Sequence, residues 1–149
     1  MNHDENVIDC SVCFKWFVIE PDRPKAIRLR DDYENGLCEL LAPDLFPSEM
    51  GNALLMAELG KGSKGIRIPP GGAALLLLQA LTSLPIIFDA VPLLPRAQDI
   101  AKHYQRSIYD CLYVALAERE QCEFVTADDR VVNALQAGFP FVVSLASVP

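Results

Sequence analysis

The sequence predicts an α/β fold: a mostly parallel sheet of five strands with helices over both faces. Three observations predict it. Short apolar runs alternate with segments of helical period along the chain. Strands separated by helices must run largely parallel, and such sheets are covered on both sides. The chain has 149 residues, 51% of them hydrophobic, which suffices for one buried core. No internal repeat, low-complexity tail or linker divides it, so residues 1–149 read as a single domain.

The elements follow in order. Val7 and Ile8, running into Asp9, form a short buried first strand. The segment 13–18 is a short helix that carries Trp16 and Phe17 to the core. Ala26, Leu29 and Tyr33 have helical spacing within 23–35, and Gly36 is placed as its stop. Residues 37–42 are a second strand closed by Pro43. The segment 45–59 is a strong helix with Leu45, Met50, Ala53, Leu54 and Ala57 near one face. Pro47 sits in its first turn, where a missing N–H does no harm. Gly60, Gly62 and Gly65, interleaved with Lys61 and Lys64, make a flexible basic loop. Pro69 and Pro70 open a Leu-rich helix, read as buried, and 86–91 is a third strand. Helices follow at 95–104 and 107–120, the second with Tyr113, Leu116 and Ala117 toward the core. A fourth strand covers 123–126. Asp128 or Asp129 then caps a helix ending at Gly138, and 141–145 is the fifth strand.

Composition excludes several classes. Thirteen Lys and Arg against twenty Asp and Glu give a net charge of −7, so the chain is no polycation binding nucleic acid through its overall field. The apolar stretch 71–88 is interrupted by Gln79, Thr82, Ser83 and Pro85, too early for a membrane span. The five cysteines are an odd number with no signal-like segment before Asp9, which predicts reduced thiols and a cytoplasmic location. Cys10 and Cys13 form a C-x-x-C pair. No second pair exists, and His3 and His103 are too scattered to complete a zinc site, so the two read as small buried thiols.

In open parallel sheets, ligands bind beyond the carboxyl ends of the strands. Asp9 ends the first strand, and Asp128 follows the fourth. Asp110 and Glu49 lie in the first turns of two helices, and all four acids can reach one sheet edge. Each has an ordinary alternative role as a helix cap or a solvated acid. Four bare carboxylates in a small site would force some to hold protons, and a divalent cation removes the conflict. Magnesium and manganese suit such hard oxygen ligands and bind through few carboxylates plus substrate phosphate.

The residues around those acids resemble a known family. Val7-Ile8-Asp9-Cys10-Ser11-Val12, with Trp16 and Glu20, resembles the opening of PIN-domain proteins. Pro43 to Leu54, with Glu49 preceding Asn52, resembles the second block. Tyr109-Asp110-Cys111-Leu112-Tyr113-Val114-Ala115-Leu116-Ala117 resembles the third, and Thr126-Ala127-Asp128 with Arg130 the fourth. The likeness is nearest to VapC-like toxins. It implies a three-layer α/β/α sandwich and a magnesium- or manganese-dependent endoribonuclease. It further implies a homodimer and a small VapB-like antitoxin partner.

On that resemblance Asp9, Glu49, Asp110 and Asp128 are the catalytic quartet. Asp9 and Asp110 would be direct metal ligands, Asp128 a further ligand, and Glu49 the group that positions or deprotonates water. Asp129 stands next to Asp128, so the fourth acid is open between them. Ser11 and Thr126 would hydrogen-bond the acids, and Asn52, three residues after Glu49, would orient it. Local backbone bonding is an equal alternative for these three. Lys61, Lys64 and Arg67, then Lys102, His103 and Arg106, and finally Arg130, are candidates for RNA contact; solvated surface cations are the plain alternative. A non-catalytic interaction module on the same fold is the rival reading, with the Leu-rich helix buried against a small partner. A phosphatase would want an acid where Ser11 stands, and a receiver domain would want a lysine after a late strand. Neither pattern is present.

Overall fold

The computed structural model describes residues 2–149, with side chains from Asp4 onward, so the side chain of His3 lies outside the described residues. Five strands form one sheet in the order β3-β2-β1-β4-β5, and every pairing is parallel. They are β1 (Asn2–Ile8), β2 (Glu39–Pro43), β3 (Ile86–Phe88), β4 (Cys122–Thr126) and β5 (Val142–Ser144). The helices are α1 (Cys10–Phe14), α2 (Arg23–Glu34), α3 (Phe46–Leu59), α4 (Gly72–Ala80), α5 (Leu94–Tyr104), α6 (Ile108–Glu120) and α7 (Asp129–Leu135).

The chain leaves β1 toward β2 and β3, then crosses back to β4 and β5. Right-handed crossovers therefore put α2 and α6 on opposite faces. Their contacts agree. Tyr113 of α6 stacks on Phe124 of β4 with centroids 5.5 Å apart, while Leu29 of α2 lies with Asn6, Val125 and Val143. Seven consecutive α6 residues, from Cys111 to Ala117, are buried. That helix packs on β1, β2 and β4 and is itself covered by α5, so it has no solvated stripe. Trp16 is buried, as expected, with its indole N–H donating to Ala26 O at 2.9 Å.

The structure corrects several expected boundaries. The first helix begins at Cys10, not at 13, because the Asp9 side chain accepts from Ser11 N and caps it at once. The third strand ends at Phe88, after which Asp89 accepts from Val91 N and the chain tightens into a 3₁₀ turn at Val91–Leu93. The seventh helix stops at Leu135, short of Gly138, and the last strand is confined to Val142–Ser144. Gly36 is the predicted stop, in the left-handed conformation (φ +71°) just after α2. Gly60 ends α3 the same way (φ +72°), and a Cβ there would lie 2.7 Å from Ile66.

The Leu-rich helix is the largest correction. It is not buried. Ala73 and Ala80 face inward and α4 packs chiefly on α3, but Leu75 and Leu78 are about two-thirds exposed. No strand lies beneath that outer face. The edge strand β3 adds the exposed Ile86 and Ile87. All five cysteines are free thiols. Among the described residues, no helix is long and apolar enough to cross a membrane.

Candidate active site

The sheet order changes direction between β1 and β4. Open parallel sheets bind ligands at such a switch point, beyond the carboxyl ends of the strands. The Ile8↔Val125 register sets the next residues, Asp9 and Thr126, side by side there. Thr126 is fully buried and donates its hydroxyl to Asp9 Oδ2 at 2.5 Å. The other carboxylate oxygen accepts from Ser11 N at 3.1 Å and from the Ser11 hydroxyl. Ser11 Oγ also accepts from Ala127 N at 2.9 Å, closing a small network between the first and fourth strand ends.

Asp128 belongs to the same network. Its backbone N–H donates to Thr126 Oγ1 at 3.1 Å, and its side chain caps α7 by accepting from Arg130 N at 3.0 Å. Asp129 is exposed in the first turn of that helix. Asp128 is half-buried and its charge raises the proton affinity of Asp9, whereas Asp129 is exposed.

Glu49 stands in the first turn of α3, where the helix dipole favours a carboxylate. The buried Tyr113 of α6 donates to Glu49 Oε1 at 2.7 Å. Asp110 lies in the first turn of α6, its N–H bonded to the capping Ser107 Oγ at 3.1 Å. Glu49, Asn52, Ser107, Tyr109 and Asp110 line one groove. No hydrogen bond joins Asn52 to Glu49; Tyr113 has that role. Pattern reading took Tyr113 for a core residue. Its place three residues after Asp110, on the same helical face, was the signal available.

The electrostatics bind these acids together. Burial pushes the Asp9 carboxyl up from 3.8 to about 6. The Ser11 and Thr126 hydrogen bonds oppose that rise, and Asp128 and Glu49 add to it. Glu49 is also raised, first by burial and further by Asp110, against the Tyr113 hydrogen bond. The Cys10 thiol donates to Phe46 O at 3.4 Å, and burial raises both C-x-x-C thiols, Cys13 to about 12. Neither is a thiolate near neutral pH, so the pair is structural.

The basic candidates divide. Arg106 ion-pairs with Asp110 at 3.0 Å, and Arg130 with Asp128 at 3.3 Å, so both stand against the acids. Lys64 and Arg67 converge on Glu20, together with Lys15. Lys61 is exposed in its loop. Lys102 and His103 end α5.

The donor chemistry of the four acids, hard carboxylate oxygen, is of the kind that suits a divalent cation. Among the described residues, no group of three or more His, Cys, Asp or Glu stands close enough together to hold a metal ion by itself. An ion here would therefore have to be held by one or two carboxylates and completed by water and substrate.

An all-parallel five-stranded sheet with helices on both faces and the order β3-β2-β1-β4-β5 is an α/β/α architecture of the PIN class. A family model for the PIN domain matches residues 7–135, and the chain belongs to that family. Among solved structures it is similar to PAE2754 of Pyrobaculum aerophilum, with TM-score 0.65, 20% identity, and 96% of this chain and 92% of that one covered. It is similar also to a toxin–antitoxin complex from Klebsiella pneumoniae (TM-score 0.64, 13% identity, 96% and 99% covered). A third is VapC20 of Mycobacterium tuberculosis, a sarcin-ricin loop cleaving toxin (TM-score 0.58, 14% identity, 87% and 95% covered). No curated protein gives a significant match to the sequence.

Proposed function

We propose that this protein is a magnesium- or manganese-dependent endoribonuclease, the toxin of a toxin–antitoxin pair. One observation carries the reading. Asp9 and Glu49, far apart in sequence, hold protons more tightly than ordinary acids, in part because Asp128 and Glu49 act on Asp9 and Asp110 acts on Glu49. Family membership and the toxins among the similar structures support it.

Asp9 and Asp110 would hold the cation directly, with Asp128 as a further ligand. The bound ion would supply charge stabilisation at the phosphate and a lowered pKa for water. Ser11 and Thr126 hold both oxygens of Asp9 in place. Tyr113 fixes one oxygen of Glu49 and leaves the other for an attacking water. A carboxylate with raised proton affinity is better matched to general-base work near neutrality than an ordinary one. Arg106 and Arg130 neutralise Asp110 and Asp128 and can turn toward a phosphate when a cation takes their place. The protein would act in the cytoplasm, as a homodimer, and be restrained by a VapB-like antitoxin. The exposed leucines of α4 give a protein partner apolar surface to cover.

The test is cleavage of total cellular RNA by purified, partner-free protein, with magnesium or manganese against chelator, wild type beside Asp110→Asn. Discrete fragments that need both metal and Asp110 are expected. Equal cleavage by a folded Asp110→Asn protein overturns the proposal. Absence of cleavage by metal-loaded wild type favours the interaction module, for which the exposed apolar face of α4 is the specific observation.

A further inference from the structure

A second charged cluster lies beside the acids. Glu20 is held by Lys15 Nζ at 3.2 Å, Lys64 Nζ at 3.3 Å and Arg67 Nη1 at 2.5 Å. Three cations on one carboxylate leave two positive charges without a partner, in a chain of net charge −7. The cluster is graded by depth. The side chains of Lys15 and Glu20 are 9% and 13% exposed, Arg67 is 29% exposed and Lys64 is 59% exposed. Arg67 is fixed further, its guanidinium 4.9 Å from the Phe14 ring centroid and its backbone N–H bonded to Ala57 O at 2.9 Å. Burial alone would raise Glu20, yet Lys15, Arg67 and Lys64 hold it below its ordinary value.

These side chains line a groove of about 370 Å³ that Ser11 and Ala127 also line. Ser11 is the residue that also bonds Asp9, so the groove begins where the acids end. Phe14, Ala53 and Met56 supply an apolar wall. A ligand spanning both regions needs one group that shares a cation with carboxylates and another that prefers Arg and Lys. A phosphodiester chain has both, repeated along its length, and an apolar wall suits its sugar or base.

Resting on the nuclease reading, we propose that Lys64 and Arg67, braced by Lys15 and Glu20, form a subsite for the RNA phosphate neighbouring the one at the acids. Glu20 acts as a place-holder. It keeps the three cations converged when no RNA is present, and it shares Arg67 and Lys64 with the incoming phosphate. Arg67 offers the forked donors that phosphate oxygens accept, and Lys64 a mobile point charge at the rim.

The experiment is fluorescence anisotropy with a labelled single-stranded RNA oligonucleotide over a salt series. All proteins carry Asp110→Asn so that the RNA stays whole. A Lys64→Ala/Arg67→Ala double variant should bind about tenfold more weakly, and losing one single-strand phosphate contact should lower the log–log salt slope by about 0.7. A control double variant, Lys25→Ala/Arg28→Ala on α2, removes the same charge elsewhere and should leave the slope unchanged. Glu20→Gln frees the cations and should tighten binding. A network that merely ties the loop to α1 predicts the opposite sign.

Equal slopes for the two double variants, or weaker binding by a folded Glu20→Gln protein, overturn the subsite. So does absence of RNA binding by the Asp110→Asn parent. The nuclease reading is judged separately, by cleavage with Asp110 intact. Cleavage that needs Asp110, together with an unchanged slope for Lys64→Ala/Arg67→Ala, removes the subsite alone. A reduced slope without cleavage by wild type removes the nuclease alone.

Discussion

Thr126 donates its hydroxyl to Asp9 at 2.5 Å across 117 residues of sequence, and the same oxygen accepts the backbone N–H of Asp128 at 3.1 Å. One buried hydroxyl therefore links the first acid to the fourth. Parallel pairing of β1 with β4 makes this possible, because it brings both strand ends to the same edge. The result is an Asp9 carboxylate with both oxygens engaged and its proton affinity still raised.

That raised affinity has a consequence for stability. Asp9 binds its proton more tightly folded, at about 6, than unfolded, near 3.8. The stabilisation from the protonated form is complete below the unfolded value and is lost as pH rises through the folded one. In metal-free buffer, Asp9→Asn should match wild type near pH 4, gain on it up to pH 6, and hold a constant advantage above about pH 7. Thermal unfolding of both proteins across this range is the check. A difference that does not vary with pH contradicts it.

Divalent ions should reverse that ranking. An ion bound by the quartet stabilises only the folded state, by about 2.7 kcal/mol at a hundred times its dissociation constant. Magnesium or manganese is expected to raise the melting temperature of wild type and to leave Asp9→Asn and Asp110→Asn nearly unmoved. Equal shifts in all three would place the ion elsewhere.

Tyr113 is expected to set the working pH of Glu49. Its hydrogen bond lowers the proton affinity that burial raises. Tyr113→Phe keeps the ring stacked on Phe124 but removes a hydrogen bond to a carboxylate, worth about 1.5–3 kcal/mol. The acid limb of the cleavage profile should move to higher pH, with the largest loss of rate on the acid side. Circular dichroism separates this from misfolding, and an unshifted limb argues against Glu49 as base.

Leu75 and Leu78 should be dispensable for folding of the isolated chain. A buried leucine truncated to alanine costs about 2–5 kcal/mol, but these two face water. Leu75→Ser/Leu78→Ser should change unfolding free energy by no more than about 0.5 kcal/mol per site. Denaturant melts measure it, and a loss of several kcal/mol at low protein concentration would mean that the face is covered within the chain.

The order of elements was readable because parallel α/β chains carry two local signals. Strands such as the one opening at Ile86-Ile87-Phe88 begin as continuous apolar runs, and helices such as 23–35 repeat every three to four residues. The acids were readable as residues beside those elements. Local signals reach only a few residues, however. Nothing around Asp9 shows that its side chain caps the next helix, and so the first helix was placed three residues late. A run of leucines records hydrophobicity but not which neighbour covers it. α4 was therefore read as buried, although it packs on α3 and turns Leu75 and Leu78 outward.

The sequence by itself determined the fold class and the family pattern and nominated the candidate acids, since each rests on residue type and short-range spacing. Only the tertiary structure decided the partners. It set Tyr113 on Glu49 and Thr126 on Asp9. It half-buried Asp128 while leaving Asp129 exposed, and it gathered Lys64 and Arg67 around Glu20. The physical reason is distance along the chain. Hydrogen bonds and ion pairs act over a few ångströms, and only strand register and helix packing bring residues 44 to 117 positions apart within that range.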